Sequence, residues 1–373
     1  MMKKVAITYN TSWYIYNFRK ELIELLQSNG YQVITVAPND YFTNKLIGLG
    51  CIHYHYSLNR RGFNPLEEVK LFIKYLSIYN KTKPDLILHF TVKPVIYGSI
   101  AAGLLRIPTV NNITGLATLF IRPNLLTAIS KKLYKFSQQF ASIVFFQNSD
   151  DLILFTEKLK LLNVNKADLL PGSGVNLKKF TPIPKENIKS NFIFLLISRM
   201  IYDKGIKEFV DAAKILLDKG YLAEFQLLGP LDYENVSGIR YNDIINWEKH
   251  GVIKYLGTTN NVKKYIRDSD CVVLPSYREG TPRSLLEAAA MGKPLITTNT
   301  IGCKEVVDNN KNGFLCKLKD PLDLANKMEK MLKLTKTQRI KMGENSRKKI
   351  EDQFDEIIVI NKYLDAINQL IGN

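Results

Sequence analysis

Two carboxylates in the second half of the chain have the type and spacing to hold a charged, hydroxyl-rich ligand. Glu279 lies in a loop after the apolar strand pattern Cys271–Leu274, and Glu287 follows eight residues later. A helix is predicted from about Pro282 to Gly292, because proline suits a first helical position and glycine a helix end. Glu287 would then lie on a helix that is apolar nearly all round, where an ionised carboxylate needs a hydrogen-bond partner.

The start of this helix lies between the two acids. Thr281 is the expected N-cap, and the amides of residues 283 to 285 are expected to be free to bind a phosphate. An acid on each side of an anion site suits a nucleotide sugar, with Glu287 on the ribose diol and Glu279 on the sugar hydroxyls. From spacing alone a second interpretation stays open, in which Arg283 and Glu287 form only a surface ion pair and Glu279 is an ordinary loop acid.

The segment EGTPRSLLEAAAMGKPLITT, which starts at Glu279, resembles the E-x7-E signature of the retaining family-4 glycosyltransferases of GT-B architecture. The resemblance implies that Glu279 acts on the transferred sugar and that Glu287 binds the donor. The other donor-binding residues that it implies in this segment are Gly280, Thr281, Arg283, Ser284 and Leu285.

Two further segments are similar to the same family. ISRMIYDKG, Ile197–Gly205, resembles its post-strand loop, in which an arginine and a lysine hold the donor diphosphate; these are Arg199 and Lys204 here. Two cations at a strand end would stabilise the negative charge that develops on the leaving nucleotide, although solvated loop cations are the alternative. Gly257, at the end of another predicted strand, matches the base-contacting loop of the family.

The length and the element pattern predict two domains. A chain of 373 residues exceeds what one hydrophobic core usually spans, and 46% hydrophobic with 23% charged residues is an ordinary globular composition. Both halves alternate strand and helix patterns, which is typical of α/β domains with doubly wound parallel sheets. The resemblance implies the GT-B form of this architecture, two Rossmann-like domains facing a central cleft. The expected bounds are an acceptor domain over 1–176, a linker over 177–191, a nucleotide-sugar domain over 192–354 and a returning C-terminal helix over 355–373.

Periodicity also predicts individual elements. A first helix is expected near Phe18–Asn29, and the last one near Asp355–Ile371. The predicted strands are Val5–Tyr9, Val33–Ala37, Leu86–Phe90, Thr109–Val110, Ile143–Phe146, Phe192–Ile197, Phe225–Leu228, Val252–Leu256, Cys271–Leu274 and Leu295–Thr297.

The first half is expected to hold the acceptor. Its first strand ends in a loop without glycine, followed by an arginine, as in relatives that use polyprenyl-linked acceptors. HFTVKPVIYGS, which starts at His89, resembles a segment of bacterial surface-polysaccharide transferases, and its lysine is either a pyrophosphate ligand or a solvated loop residue. In VNNITGLATLF a threonine stands where many relatives carry a histidine against the sugar. The acceptor-binding candidates are Asn10, Ser12, Arg19, His89, Lys93, Thr114 and Gly115.

The charge is strongly positive and unevenly distributed. Residues 1–187 hold 23 Lys and Arg against 11 Asp and Glu, so +12 of the net +17 lies there. A basic amphipathic helix is predicted within Ile121–Ile143, with Arg122, Lys131, Lys132 and Lys135 beside an apolar stripe. Together with Arg60 and Arg61 it favours a peripheral position on the anionic cytoplasmic face of the inner membrane, although packing into the core stays open. The chain has no apolar run long enough to span a bilayer. The apolar run near its start is also too short for the core of a signal peptide.

Neither a metal nor another cofactor is expected. The four cysteines show no C-x-x-C spacing, and we expect them to be reduced thiols in the core. Asp268 and Asp270 have the D-x-D spacing of metal sites in the other large glycosyltransferase fold, but they end a predicted helix before a strand. His53 and His55 share a strand face without a third ligand nearby in the sequence.

These residues together predict a retaining, metal-independent glycosyltransferase. The expected reaction moves an N-acetylhexosamine from a UDP-sugar to a glycan acceptor linked to polyprenyl diphosphate, in bacterial surface polysaccharide assembly. One alternative is another nucleotide-sugar enzyme of GT-B fold, such as an epimerase. An alternative of a different class is a basic protein that binds nucleic acid or an anionic surface, but that reading leaves Glu279 and Glu287 unexplained, so nucleic acid is not an expected partner.

Overall fold

A computed structural model describes residues 2–57, 64–115, 125–184, 191–233 and 235–372. These residues form two compact units. Unit 1 comprises Met1–Ser173 and Val359–Asn373, and unit 2 comprises Gly174–Ile358. The boundary on the N-terminal side lies at Gly174, before the predicted linker rather than after it. Phe180, inside the predicted linker, is buried in the core of unit 2, and its carbonyl oxygen accepts a hydrogen bond from Arg347 at 2.8 Å.

Unit 1 is built on a parallel sheet of seven strands in the described residues, in the order β3-β2-β1-β4-β5-β6-β7. Its central strands are buried almost throughout, as expected for a sheet covered on both faces. The register pairs Val5 with Val33 on one side and with Leu86 on the other. The strands are β1 (Lys4–Thr8), β2 (Gln32–Val36), β3 (Ile52–Tyr54), β4 (Leu86–Phe90), β5 (Thr109–Ile113), β6 (Ile143–Phe146) and β7 (Ala167–Leu169).

Helices connect these strands, and the last helix of the chain packs in the same unit. That helix, α13 (Glu356–Ile371), places Val359, Tyr363 and Ile367 in the core that β1 and β4 share. The helices described in unit 1 are α1 (Ser12–Ser28), α2 (Thr43–Gly48), α3 (Pro65–Thr82), α4 (Ser99–Leu104), α5 (Leu125–Ser137) and α6 (Ser149–Ile153), with π-helical turns at Pro94–Gly98 and Leu154–Lys158 and a 3-10 turn at Val164–Lys166.

Unit 2 repeats the architecture with a parallel sheet of six strands, in the order β10-β9-β8-β11-β12-β13 within the described residues. Its strands are β8 (Phe192–Ile197), β9 (Ala223–Leu228), β10 (Lys254–Tyr255), β11 (Cys271–Leu274), β12 (Leu295–Thr298) and β13 (Gly313–Cys316). Its helices are α7 (Ile206–Asp218), α8 (Tyr241–Lys249), α9 (Val262–Asp268), α10 (Arg283–Ala290), α11 (Pro321–Lys333) and α12 (Lys336–Gln353), with a 3-10 turn at Tyr202–Lys204.

Each sheet has one point at which its strand order reverses. In unit 1 this point lies between β1 and β4, and in unit 2 it lies between β8 and β11. Loops that leave two adjacent parallel strands in opposite directions open a crevice at the carboxyl ends, where doubly wound sheets bind ligands. The residues that follow the strands at these points are Asn10 and Lys93 in unit 1, and Arg199 and Glu279 in unit 2.

Several predicted elements were wrong in extent, and the strand predicted at Val252–Leu256 is only Lys254–Tyr255. The first helix begins at Ser12 rather than near Phe18, because the Thr11 hydroxyl oxygen caps it by accepting a hydrogen bond from the Tyr14 amide at 3.0 Å. The strand predicted at Thr109–Val110 continues to Ile113, since Asn111 and Asn112 are buried with side-chain hydrogen bonds and so do not end it.

A chain of buried hydrogen bonds in unit 1 determines the role of His89. Its Nε2 lies 3.1 Å from the Tyr79 hydroxyl, which is 2.9 Å from the Thr8 hydroxyl, and its Nδ1 lies 3.0 Å from Oδ1 of Asn111. The side chain has no exposed surface, and a Cβ at Gly98 would overlap the imidazole. His89, an acceptor-binding candidate, is therefore a structural histidine whose two nitrogens are used inside the unit.

The burial of His89 predicts a dependence of stability on pH. Burial lowers the pKa of His89 from 6.5 to about 4, so the unfolded chain binds a proton in a range where the folded chain does not. Neutral His89 therefore stabilises the fold fully above pH 6.5. As the pH falls from 6.5 towards about 4, the free energy of unfolding decreases by up to about 3 kcal/mol. In urea denaturation at a series of pH values, His89→Gln should flatten this slope. His250→Gln, at an exposed histidine, is the matched control, and an unchanged slope in His89→Gln would contradict the assignment.

Candidate active site

The loops after β8 and β11 meet at the reversal point of unit 2. The Lys204 ammonium contacts the Glu279 carboxylate directly, and their side chains are only 18% and 15% exposed. The backbone joins the same loops, since the Tyr277 amide donates to the Asp203 carbonyl oxygen at 2.9 Å. Gly205 has a φ of +73°, and a Cβ there would overlap the Pro275 carbonyl oxygen, so glycine permits the approach. The structure thus brings together two predicted catalytic residues that are far apart in the sequence.

Glu279 is also fixed from its other side. Its amide donates to the Ile301 carbonyl oxygen at 3.0 Å, and Gly302, with a φ of +82°, packs against the backbone of Glu279 and Gly280. A Cβ at Gly302 would overlap the Glu279 carbonyl oxygen. Sequence reasoning missed Gly302, although a glycine in the loop after a strand was a signal of such an approach. The backbone that carries Glu279 is therefore fixed on one side by the loop after β8 and on the other side by Ile301 and Gly302.

Arg199 follows β8 at the same sheet edge. Its Nη1 donates to Oδ2 of Asp232 at 2.9 Å, and while the arginine is half-exposed the aspartate is nearly buried. Gly229 lets the Asp232 loop begin there, because a Cβ at this glycine would overlap the Ser198 carbonyl oxygen. Sequence reasoning missed Asp232. The guanidinium is therefore oriented in advance by an acid from the neighbouring loop.

The helix after β11 starts one residue later than predicted. Pro282 occupies the N-cap position of α10, so Thr281 lies outside the helix. The Leu285 amide donates to the Pro282 carbonyl oxygen at 3.0 Å, so the prediction of a free amide at Leu285 was wrong, because the first turn tightens onto the N-cap. The amides of Arg283 and Ser284 remain in the first turn, where a helix favours an anion.

Glu287 pairs with Arg283 within α10. Nε of Arg283 donates to Oε1 of Glu287 at 3.1 Å, and the two side chains are 17% and 15% exposed. Burial raises the pKa of Glu287, and the arginine opposes this effect. The neighbouring pair considered from the sequence is thus present, but it lies in a largely desolvated position rather than on an open surface.

Gly257 lies beside the Asp232 loop, and its carbonyl oxygen accepts a hydrogen bond from the Gly229 amide at 2.8 Å. Its φ is +65°, and among the described residues no atom lies within 4 Å of the position that a Cβ would occupy. A flat ligand could therefore approach this backbone closely.

In unit 1, part of the predicted acceptor set lies at one sheet edge. Asn10, Lys93 and the pair Thr114 and Gly115 follow β1, β4 and β5, which are neighbours in the sheet, and Oδ1 of Asn10 is buried without a partner among the described residues. The Lys93 ammonium lies 2.6 Å from the carboxylate of Glu68 on α3, a residue that sequence reasoning did not select.

Two other acceptor candidates lie inside unit 1. The Ser12 hydroxyl donates to the Pro38 carbonyl oxygen at 3.0 Å and accepts from Thr43 at 3.2 Å, with no exposed surface. The Arg19 guanidinium is buried over the rings of Phe90 and Tyr363, at 4.4 and 5.5 Å from their centroids. Ser12 and Arg19 are therefore buried inside the unit, which does not fit their assignment to the acceptor.

The acids and histidines considered for metal binding have local partners. Asp268 accepts from Arg267 at 2.8 Å and Asp270 accepts from the Ile193 amide at 2.9 Å. His53 contacts Thr35 and Asn39. Within the described ranges, no three His, Cys, Asp or Glu residues form a group that could hold a metal ion. The four cysteines are free and buried, and burial raises the pKa of Cys303, next to Glu279, to about 12, which keeps this thiol protonated.

The basic helix predicted near residues 121–143 is described from Leu125 onwards. Lys132, Lys135 and Phe136 of α5 are exposed, whereas Tyr134 is buried, so the predicted stripe does not pack wholly into the core. Arg60, Arg61 and Arg122 lie outside the described residues. No helix in the described part of the chain is long and apolar enough to cross a membrane.

Comparison with known proteins identifies the family. The family model described as "Glycosyl transferase 4-like" matches residues 4–148, and the model "Glycosyl transferases group 1" matches residues 179–349. The chain is 32% identical over 375 residues to N,N'-diacetylbacillosaminyl-diphospho-undecaprenol alpha-1,3-N-acetylgalactosaminyltransferase of Campylobacter jejuni, covering 96% of each chain. It is 26% identical over 330 residues to UDP-Gal:alpha-D-GlcNAc-diphosphoundecaprenol alpha-1,3-galactosyltransferase of Escherichia coli, covering 84% of this chain and 82% of that protein.

Solved structures show the same fold. A glycosyltransferase from Rickettsia africae superposes with a TM-score of 0.80 at 19% identity, covering 100% of this chain and 99% of that one. HepE from Anabaena, in complex with UDP and glucose, also gives 0.80 at 17% identity, covering 98% and 100%. The two parallel-sheet units are therefore those of the GT-B fold, which confirms the predicted fold class. With both family models and a relative matched over nearly its whole length, the chain belongs to the family-4, group 1 glycosyltransferases.

Proposed function

We propose that this glycosyltransferase moves an N-acetylhexosamine from a UDP-sugar to a glycan acceptor carried on polyprenyl diphosphate, with retention of configuration and without a metal ion. The observation that carries the proposal is the contact between Lys204 and Glu279 at the reversal point of unit 2. The names of the two relatives support the acceptor class, since both describe transfer to a sugar on diphospho-undecaprenol. The product would serve bacterial surface polysaccharide or glycan assembly.

The donor site is assigned from the charges around this contact. Arg199, Lys204 and the amides of Arg283 and Ser284 bind the diphosphate and stabilise the charge that develops on the leaving nucleotide. An ammonium carries three N–H donors, so Lys204 can hold Glu279 and a phosphate oxygen together. Glu279 then lies next to the bond that breaks, where it accepts hydrogen bonds from the sugar hydroxyls.

Retention follows from front-face attack in this assignment. The acceptor hydroxyl attacks the anomeric carbon on the face from which the diphosphate departs, and a donor phosphate oxygen takes its proton. The alternative is a double displacement in which Glu279 forms a covalent intermediate. Trapping with a slow fluorinated donor and mass spectrometry of the protein distinguishes the two, because only the second route adds a sugar to the peptide that contains Glu279.

Transfer and binding assays test the function. UDP, GDP and their sugars are screened by thermal shift, in which a ligand at 100 times its dissociation constant adds about 2.7 kcal/mol of stability. Active donors are then incubated with a polyprenyl diphosphate that carries an N-acetylhexosamine, with and without EDTA, and the anomeric configuration of the product is read by NMR. Absence of transfer, with a salt-dependent shift of random RNA instead, would favour the alternative of a basic nucleic-acid binder.

Removal of the Glu287 carboxylate should weaken donor binding. Glu287→Ala would lose one or two charged hydrogen bonds to the ribose, at roughly 1.5–3 kcal/mol each, and so about tenfold or more in UDP affinity by calorimetry. Glu351→Ala is the matched control, because Glu351 forms the same pair with an arginine four residues away but is 46% exposed. Equal UDP affinity in Glu287→Ala and the parent would show that Glu287 only pairs with Arg283.

Neutralisation of Glu279 should damage turnover more than binding. In Glu279→Gln the turnover number should fall at least about tenfold while the donor KM changes less, because the carboxylate acts on the reacting sugar in the transition state. Glu329→Gln, at an acid that also pairs with lysines, is the control. Parental turnover in Glu279→Gln would remove Glu279 from the catalytic residues.

A peripheral position on the cytoplasmic face of the inner membrane is part of the proposal, because a polyprenyl acceptor is reached from the lipid surface. Lys132, Lys135 and Phe136 on α5 supply exposed charge and apolar area. The double variant Lys132→Glu, Lys135→Glu should weaken flotation with vesicles of anionic lipid by more than about tenfold, at about 1 kcal/mol for each basic residue lost. Unchanged flotation would exclude this surface, and neutral vesicles provide the control.

A further inference from the structure

The reversal point of unit 1 holds a buried ion pair that the donor chemistry does not use. Nζ of Lys93, three residues after the end of β4, lies 2.6 Å from Oε1 of Glu68, and the two side chains are 18% and 6% exposed. Glu68 lies in the first turn of α3, whose N-terminus lies at the same edge of the sheet. The pair thus joins the helix that precedes β4 to the loop that follows it.

The burial of Glu68 is costly for the fold. Its Oε2 is buried and makes no hydrogen bond of normal geometry within the described part of the chain, although the carboxylate lies close to Tyr97, where burial and this acid raise the pKa of the phenol. A buried carboxylate with one unsatisfied oxygen is costly, and an apolar residue in place of a buried ion pair is often neutral or stabilising. The neighbouring Glu67 lies in the same helical turn but is exposed, so the helix dipole does not require a second, buried acid. What Glu68 provides is a fixed position for the Lys93 ammonium.

The backbone around Lys93 is constrained as well. Thr91 has a φ of +67°, a left-handed conformation that is rare for a β-branched residue and is found where the surrounding structure enforces it. A π-helical turn, Pro94–Gly98, begins directly after Lys93, and such turns are frequent at functional sites. Two unusual local conformations therefore flank the lysine at the carboxyl end of β4.

We propose that Glu68 is a positioning residue for the acceptor: it holds the Lys93 ammonium at the carboxyl end of β4, where Lys93 binds the diphosphate of the polyprenyl-linked acceptor. A lysine ammonium is a compact charge that binds phosphate, and its three donors can serve a carboxylate and a phosphate oxygen together. This inference rests on the proposed function for the identity of the acceptor. It adds a residue that neither the sequence motifs nor the comparisons select.

A double-mutant cycle tests the coupling. The proteins are the parent, Glu68→Ala, Lys93→Met and the variant with both changes, together with Glu68→Gln and the control Glu67→Ala. The readouts are the acceptor KM, the donor KM and the thermal stability. We expect Glu68→Ala to raise the acceptor KM about tenfold, Glu68→Gln to raise it less because its amide oxygen still accepts from Lys93, and Glu67→Ala to leave it unchanged. The donor KM should stay within about twofold of the parent in all Glu68 variants.

The cycle separates positioning from a structural role. If Glu68 acts through Lys93, adding Glu68→Ala to Lys93→Met causes no further rise in acceptor KM. Additive effects, a parallel rise in donor KM, or a loss of activity that follows thermal stability alone would each overturn the inference while leaving the transfer reaction intact.

A binding measurement covers the case in which the parent protein transfers no sugar. The same proteins are titrated with a polyprenyl diphosphate that carries an N-acetylhexosamine, in the presence of saturating UDP so that the donor site is filled. Coupled losses of affinity at Glu68 and Lys93 would support the inference even though the proposed reaction had failed. Equal affinities in all the proteins would overturn it.

Discussion

The candidate active site depends on one ion pair, between Lys204 and Glu279. The two residues come from loops that leave neighbouring strands at the reversal point of the sheet, so only the folded unit brings them together. Glycines at positions 205 and 302 allow the backbones to touch on both sides of the pair. A side chain at either glycine would separate the loops, and the lysine would then no longer lie beside the acid.

The same arrangement recurs at the other predicted phosphate ligands. Arg199 is held by Asp232 and Lys93 by Glu68, so each cation already has a carboxylate from a neighbouring element before any ligand arrives. Paired charges cost less to bury than single ones, and an oriented cation needs no rearrangement when negative charge develops beside it. The acids therefore explain how a strongly basic chain keeps its cations fixed at two sheet edges.

The sequence was sufficient for the parts of the fold that have a dense apolar pattern. Strands such as Phe192–Ile197 and Cys271–Leu274 were predicted with their observed bounds, because a short continuous apolar run is typical of a strand buried on both faces. The short edge strands Ile52–Tyr54 and Ala167–Leu169 were missed, since their partly exposed residues carry no such pattern. The edge strand Gly313–Cys316 was missed as well, although it is mostly buried, because its short apolar run begins with a glycine. A helix cap at Thr11 likewise moved a boundary that periodicity had placed later.

For the site, motif resemblance selected the cations and acids but not their partners. Asp232 and Glu68 lie 33 and 25 residues from the cations they hold, and no local spacing indicates such contacts. The reverse error occurred at Ser12, Arg19 and His89, whose polar side chains looked available for a ligand. Burial decides their role, and burial of a polar residue depends on tertiary packing that a single sequence does not show.

The position of the last helix has a consequence for how the chain is made. Val359, Tyr363 and Ile367 of α13 complete the core of unit 1, whereas unit 2 is continuous from Gly174 to Ile358. A ribosome therefore finishes unit 2 before it delivers the segment that covers the apolar surface of the first unit. The core of unit 1 therefore stays incomplete until Glu356–Ile371 has been synthesised, so the unit that begins first along the chain is completed last.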